Sequence, residues 1–328
     1  MKKLGAVILL STMWTLPLWA DFVSGDEAFE NKRYSEAIQH FRPLADAGDF
    51  RSQYYMAYMY LNGYGTAKND QLGLAYLRKS LDQDYHAAQA LMGFLYSQGI
   101  GVPKDHKKAI EFYQKAAEKG NTSALLNLGL AYYEGDGVPR NLAKAIELLK
   151  KIPIQQQPSA GRYLGDIYLA QDFDNIDKAI AAYREAAKAG DLASYTALAD
   201  IYMQGNGAEQ DVERALKYYL YGASQGYAPA QYALGIIYAN GKNVSRDPAL
   251  GHAWLSWAMN QNYSPANMAL TQLKTEMTLT ELDRARQEFI GIQQRVLNKV
   301  TSPFEEEQRI LEEQLAQQQA KPPRRRRR

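Results

Sequence analysis

The feature that most constrains the fold of this 328-residue chain is an internal repeat of about 36 residues. Glycine or alanine lies three residues before each repeated tyrosine, and Met or Leu lies before that. Because offsets of three and four residues fall on one face of a helix, this segment, here called the tyrosine helix, is predicted to be helical. The tyrosines are 36, 36, 36, 34 and 36 residues apart: Tyr60, Tyr96, Tyr132, Tyr168, Tyr202 and Tyr238.

A second set of small residues keeps the same spacing in the other half of each unit. Four residues after each of them stands a large apolar residue, again an offset that fits one helix face. Each unit is therefore predicted to contain a second helix, here called the alanine helix. Its small residues are Ala37, Gly73, Ala109, Ala145, Ala179, Ala215 and Gly251.

Turn and capping residues recur between these helices. Left-handed residues are expected where the alanine helix ends, at Gly48, Gly120, Gly190 and Gly226, with Asp84 and Asn262 in the same place in two other units. Glycine pairs follow the tyrosine helix, at Gly63 and Gly65, Gly99 and Gly101, Gly135 and Gly137, and Gly205 and Gly207. The alanine helix is predicted to begin at an Asp or Asn cap: Asn69, Asp105, Asn141, Asn175, Asp211 and Asp247.

The pattern resembles the Sel1-like repeat, a relative of the tetratricopeptide repeat. Residues 105–137 show it best, with Leu128, Gly129 and Tyr132 in one helix and Ala109, Tyr113 and Ala116 in the other. About seven units from residue 27 to about residue 275 carry the resemblance. One helix pair cannot bury its own apolar face, so neighbouring pairs must stack. The resemblance therefore implies an all-α, right-handed superhelical α-solenoid of about seven helix-turn-helix repeats with a C-terminal capping helix.

The fourth unit departs from this pattern. Pro153 and Pro158 stand at the helix junction, Gln171 and Phe173 replace the glycine pair, and the next unit is two residues shorter. These changes predict a local irregularity in curvature and no break in the stack.

The two ends of the chain differ from the repeats. Lys2, Lys3, an uncharged apolar stretch and Ala20 are typical of a secretory signal peptide over residues 1–20, with a retained membrane anchor as the alternative. The repeats then occupy 21–275. Thr278 and Glu281 have the spacing of a capping box and predict a capping helix within 276–300. Residues 301–328 form an extension, opened by a short helix at Ser302.

The charge of the chain is unevenly distributed. Residues 21–320 carry 30 basic and 36 acidic side chains, a net charge of −6, whereas the last eight residues carry six positive charges. Such a tail is either solvated or an electrostatic contact for an anionic surface. Behind a signal peptide, anionic lipid, lipopolysaccharide or an acidic protein is the expected surface, and nucleic acid is not. The tail residues are Arg324, Arg325, Arg326, Arg327 and Arg328.

The sequence offers little that could carry catalysis. No cysteine is present, which excludes disulfides, thiolate metal sites and a cysteine nucleophile. His40, His86, His106 and His252 share no metal-ligand spacing, and no hydrolase or phosphate-binding motif occurs. We therefore predict no catalytic residue, no metal and no cofactor.

The resemblance implies that the tyrosine helices line a concave groove, and aromatic anchors with scattered charges suit protein recognition. We expect a non-catalytic scaffold in the bacterial cell envelope, exported to the periplasm, that binds envelope proteins there. The alternatives are a secreted factor that engages a host protein, and an envelope hydrolase using Asp166 and Asp200. The candidate partner-binding residues are Arg51, Tyr54, Tyr58, Asn62, Phe94, Leu130, Tyr133, Glu134, Arg162, Asp166, Thr196, Asp200, Tyr232 and Ile236.

Overall fold

The structure is a computed structural model that describes residues 15–171, 175–205, 207–295 and 300–319. Every regular element within those ranges is a helix, and the all-α repeat solenoid fold is confirmed. The chain forms two compact units, Met1–Ile152 and Pro153–Arg328. Most of the predicted signal peptide (residues 1–14) and the five-arginine tail lie outside the described residues.

Both units consist of stacked repeat helices, with one further described helix before them in unit 1 and two after them in unit 2. In unit 1 the helices are α1 (Thr15–Glu30), α2 (Tyr34–Asp46), α3 (Phe50–Asn62), α4 (Asp70–Leu81), α5 (His86–Gln98), α6 (His106–Glu118), α7 (Thr122–Glu134) and α8 (Leu142–Leu149). In unit 2 they are α9 (Pro158–Gln171), α10 (Ile176–Lys188), α11 (Leu192–Gln204), α12 (Val212–Ser224), α13 (Ala228–Asn240), α14 (Pro248–Asn260), α15 (Ser264–Glu276), α16 (Leu279–Arg295) and α17 (Pro303–Gln319). The tyrosine helices are the odd-numbered ones from α3 to α15, and the alanine helices are the even-numbered ones from α2 to α14.

The predicted helix ends are confirmed with one exception. The side chain of Asp105 accepts a hydrogen bond from the backbone N–H of Lys108 at 3.0 Å, and the caps at 69, 141, 211 and 247 do the same. The predicted cap at Asn175 is wrong, because its side chain accepts from Lys178 Nζ at 2.9 Å and makes no backbone cap. All the predicted turn glycines have positive φ, and Asp84 and Asn262 both have φ of 60°.

Small residues let the two helices of a pair approach closely. A Cβ built on Gly93 would lie 2.7 Å from the ring of Tyr113, and one on Gly165 would lie 2.5 Å from the ring of Tyr183. Real Cβ atoms do not tolerate such distances, so these positions exclude any larger residue. Each small residue of a tyrosine helix thus receives the large side chain of the following alanine helix.

The repeated tyrosine links a tyrosine helix to the alanine helix that follows it. The Tyr60 and Tyr76 rings stack with centroids 5.9 Å apart, and the same stack recurs at 6.0 Å between Tyr202 and Tyr218. Aromatic pairs of this kind contribute about 0.5–1.5 kcal/mol beyond the area that they bury. The tyrosines that define the repeat in the sequence therefore stabilise each layer.

The irregular fourth unit coincides with the boundary between the two compact units. Its alanine helix α8 has only 8 residues, and Pro158 opens α9 after a turn-rich segment. The sequence predicts a local irregularity at this point. In the structure, the boundary between the two compact units falls here as well, between Ile152 and Pro153.

The capping box that opens α16 is confirmed. The backbone N–H of Thr278 donates to Glu281 at 2.8 Å, and the N–H of Glu281 donates to the Thr278 hydroxyl at 3.2 Å. Helix α16 packs against α14, where the Trp257 and Phe289 rings stack at 5.0 Å. The outer side of α14 is thereby covered by the chain that follows the repeats.

We predict that Gly93→Ala destabilises unit 1 more than Gly129→Ala does. A Cβ on Gly93 would meet the buried Tyr113 ring at 2.7 Å, whereas a Cβ on Gly129 would meet the end of Leu149 at 3.1 Å, and a leucine can adjust. Overpacking costs about 1–3 kcal/mol, and alanine gains about 1 kcal/mol over glycine inside a helix. Gly129→Ala should thus be close to neutral. Urea unfolding of both variants checks this, and equal midpoints would contradict it.

Candidate functional site

The exposed face of the unit 1 tyrosine helices carries a strip of apolar side chains. Tyr58, Phe94 and Leu130 occupy one repeat position on α3, α5 and α7, directly after the small residue that receives the neighbouring helix. Phe94 is 42% exposed, and Tyr58 and Leu130 are half-buried. The repeat geometry therefore presents one large apolar group per layer on this face.

Two of the predicted tyrosines belong to an aromatic cluster within unit 1. The Tyr54 ring lies 5.7 Å from Tyr85 and 6.4 Å from Tyr58, and the Tyr58 ring lies 5.9 Å from Tyr64. Burial raises the pKa of Tyr54 to about 12. Tyr54 thus packs mainly against its neighbours, while Tyr58 keeps a more accessible edge.

The side chains of Arg51 and Asn62 contact other residues of unit 1. The Arg51 guanidinium lies 4.1 Å from the Phe22 ring centroid and 3.4 Å from Asp49. Asn62 is exposed, and its amide donates to the Tyr58 carbonyl oxygen at 2.8 Å. Arg51 therefore packs α1 against the stack and pairs with Asp49 through Nη2, while its buried Nε has no hydrogen-bond partner among the described residues.

The end of α7 places Tyr133 and Glu134 beside a turn. Arg140 Nε donates to the Tyr133 carbonyl oxygen at 3.0 Å, and its guanidinium lies 5.9 Å from the Tyr133 ring centroid. Tyr133 is half-buried and Glu134 is exposed. An aromatic ring and a carboxylate thus stand side by side at the edge of the strip.

In the first two layers of unit 2 the same repeat position carries carboxylates, and in the third layer it carries Ile236. The Tyr183 hydroxyl donates to Asp166 at 2.7 Å, and the Tyr219 hydroxyl donates to Asp200 in the next layer. Partial desolvation raises the pKa of both carboxyls above the usual range of aspartate, while the tyrosine hydrogen bonds oppose that rise. Each carboxylate therefore ties its tyrosine helix to the following alanine helix.

Arg162 joins the first two tyrosine helices of unit 2. Its Nη1 lies 3.3 Å from Asp166, and its Nε lies 3.5 Å from Asp191, which caps α11. Thr196 on α11 is half-buried, and its hydroxyl has no hydrogen-bond partner among the described residues. The first two layers of the unit 2 face, on α9 and α11, are thus polar where the unit 1 face is apolar.

Tyr232 and Ile236 on α13 are half-buried against the apolar cluster formed with α14 and α15. The Tyr232 ring lies 5.5 Å from the Tyr263 ring. The predicted residues of this layer thus contribute to packing as well as to the surface. The predicted set also omits Leu126, a half-buried residue at the Tyr54 repeat position, which the repeat register alone identifies.

Within the described residues, no group of three or more His, Asp or Glu side chains is arranged to hold a metal ion. His106 Nδ1 lies 2.7 Å from Asp136, a two-residue contact between a helix start and a turn. None of the described helices combines the length and the apolar character needed to cross a membrane.

Five segments of the chain match the family described as "Sel1 repeat", and together they cover just over half of it: residues 51–85, 86–121, 122–152, 192–227 and 228–263. No curated protein sequence matches the chain significantly.

Two solved structures share the fold. A protective antigen of uropathogenic Escherichia coli with an SLR fold is 26% identical over 93% of this chain, with a TM-score of 0.71. The chain spans only 64% of that protein's length. A Sel1 repeat protein from Oxalobacter formigenes is 27% identical, with a TM-score of 0.64, covering 72% of this chain and 98% of that one.

We predict that Asp200→Asn stabilises the protein at neutral pH and that the gain disappears in acid. Folding raises the pKa of the Asp200 carboxyl, so this group stabilises the folded protein most when it is protonated. That stabilisation is lost as the pH rises through the pKa. Asparagine resembles the protonated form and can still accept the Tyr219 hydrogen bond. We expect a Tm higher by about 1–3 °C at pH 7 and equal to wild type near pH 3. Thermal unfolding of both proteins between pH 3 and pH 8 measures this difference in Tm. A difference in Tm that does not change with pH would refute the prediction.

Proposed function

Because the chain belongs to the Sel1 repeat family, whose members generally mediate protein–protein interaction, we propose that it is a non-catalytic scaffold for envelope proteins. The partner docks on the exposed face of the tyrosine helices. The observation that carries this proposal is the strip of Tyr58, Phe94 and Leu130, one large apolar side chain per layer at one repeat position. A few residues supply most of the binding energy in protein interfaces, and tyrosine is among the residue types enriched there.

The two units offer different chemistry at this position. The unit 1 strip suits apolar side chains of a partner, and Tyr133 and Glu134 add an aromatic and an acidic group at its edge. The unit 2 face, with Asp166 and Asp200, suits polar or basic groups. A partner that uses both units therefore needs an apolar segment and a basic or polar one.

The proposed location is the bacterial periplasm, and its support is the signal-peptide pattern of residues 1–20. Secretion beyond the periplasm, or attachment to a membrane, is the alternative that the same residues allow. We further propose that the basic tail contacts anionic lipid or lipopolysaccharide.

An envelope hydrolase would need two carboxyl groups free to act as acid and as base or nucleophile. Asp166 and Asp200 instead accept hydrogen bonds from Tyr183 and Tyr219. These hydrogen bonds, each of which joins a tyrosine helix to the following alanine helix, give both carboxylates a packing role.

The proposed surface is tested by the double variant Phe94→Asp, Leu130→Asp. Burying two carboxylates in an apolar interface is unfavourable, so we expect at least a tenfold loss of affinity, about 1.4 kcal/mol or more. Leu72→Asp is the matched control, because Leu72 is 37% exposed on the alanine helix α4. Quantitative pull-downs from cross-linked envelopes compare the three chains. Equal recovery of the same partners by all three would reject the surface.

The tail proposal is tested by deleting Arg324 to Arg328. Each arginine near an anionic membrane contributes about 1 kcal/mol, so removing five should reduce binding to anionic vesicles at least tenfold. Because the Debye length is about 8 Å at physiological ionic strength, high salt should abolish the difference. Cosedimentation measures it, with phosphatidylcholine vesicles as the neutral control. Unchanged sedimentation at low salt would dismiss the tail contact.

A further inference from the structure

The first turn of α17 docks on an aromatic surface of unit 2. The Phe304 ring lies 5.5 Å from the Tyr195 ring and 5.7 Å from the Tyr218 ring, and the Arg184 guanidinium lies 5.0 Å from its centroid. The side chains around Phe304 form what is here called the α17 site. It consists of Arg184 and Lys188 on α10, Tyr195 on α11, and Lys217, Tyr218 and Tyr221 on α12.

Charges on the two sides of this contact are complementary. Arg184 Nη2 lies 2.6 Å from Glu307, and Lys217 Nζ lies 3.3 Å from Glu306. The Tyr218 hydroxyl lies 3.5 Å from the same Glu307 carboxylate. The site therefore selects an aromatic residue followed two and three residues later by carboxylates.

Among the described side chains of the 17-residue helix α17, these contacts come from Phe304, Glu306 and Glu307, near its start. The described side chains from Gln308 onwards are exposed, and Ile310 is 43% exposed. Two open cavities of about 450 Å³ and 440 Å³ are both lined by Lys188, Phe304 and Glu305. The α17 site is thus only partly filled by its present occupant.

The same repeat positions in unit 1 do not form such a site. There Asp46 replaces Lys188, and the Tyr76 hydroxyl, equivalent to that of Tyr218, donates to Asp46 at 3.0 Å. Unit 1 therefore supplies its own carboxylate, whereas unit 2 receives one from outside the repeats. The other replacements in unit 1 are Gln53 for Tyr195, Lys79 for Tyr221 and Ala75 for Lys217.

We propose that the α17 site recognises a helix of a partner protein whose first turn carries an aromatic residue followed by two carboxylates, and that α17 is a tethered occupant which this helix displaces. The site lies on α10 to α12, and on α11 it uses Tyr195, whereas the face of the proposed function uses Thr196 and Asp200 of that helix. Ion pairs exposed to solvent contribute little each and are weakened by salt. A tether supplies a local concentration of about millimolar order, which a partner of higher affinity overcomes.

The experiment uses a fluorescent peptide of residues 300–319 as the probe and the full-length chain as the receptor. Phe304→Ala in the chain removes the anchor of the tethered occupant and leaves the site intact. We expect this variant to bind the peptide at least tenfold more tightly than the wild-type chain does, measured by fluorescence anisotropy at low salt. Binding should weaken as salt is added.

Matched controls separate recognition from a loss of folding. A peptide carrying Phe304→Ala should bind at least tenfold more weakly, and Arg184→Glu added to the Phe304→Ala chain should abolish binding while circular dichroism stays unchanged. A second chain variant, Glu306→Gln with Glu307→Gln, should open the site without touching the aromatic contact.

Equal affinity of wild-type and both opened chains for the peptide would overturn the proposal, as would equal binding of the altered peptide. Sedimentation of the wild-type chain as a dimer that the peptide dissociates would assign the site to a second copy, and this would also overturn it.

Discussion

The close approach of paired helices at a residue without a bulky side chain is the constraint on which the structure depends. At Gly93 and Gly165 the ring of the next alanine helix occupies the space that a Cβ would need. This contact fixes which side of each tyrosine helix is buried, because the face with the small residue must turn towards its partner. The following position is then directed towards the surface in every layer. A core constraint thus determines where the candidate recognition residues stand.

The repeat keeps the backbone nearly constant and leaves the chemistry of the outward position free to change. Unit 1 places Tyr58, Phe94 and Leu130 there, and unit 2 places Asp166 and Asp200 there before it returns to an apolar residue, Ile236. The aspartates gain a second role, since hydrogen bonds from tyrosines of the next alanine helix secure the pair. The fold accordingly positions the surface, and the residues at one position determine what it can bind.

The helices that follow the repeats, α16 and α17, pack against alanine helices of unit 2. Helix α16 packs on α14 through Trp257, and the first turn of α17 packs near Tyr218 on α12. Asp166 and Asp200, by contrast, lie on the tyrosine helices α9 and α11. In unit 2 the acidic groups thus lie on α9 and α11, whereas the cations around the aromatic rings lie on α10 and α12, and Tyr195 of α11 belongs to this second surface.

The sequence by itself determined the helix pairs, the small residues between them and nearly all helix ends, because these depend on contacts within one or two turns. The cap at Asn175 failed because its backbone, with φ of −103° and ψ of 8°, is not extended as at Asn69 and Asp105, and its side-chain oxygen accepts from Lys178 instead. Only the tertiary structure decided that Arg51 lies over Phe22, that Tyr54 packs inside an aromatic cluster, and that Glu307 reaches Arg184 across 123 residues of sequence. The burial of a side chain depends on the residues from distant parts of the chain that pack against it. These contacts cannot be read from the spacing of the repeat or from the type of residue.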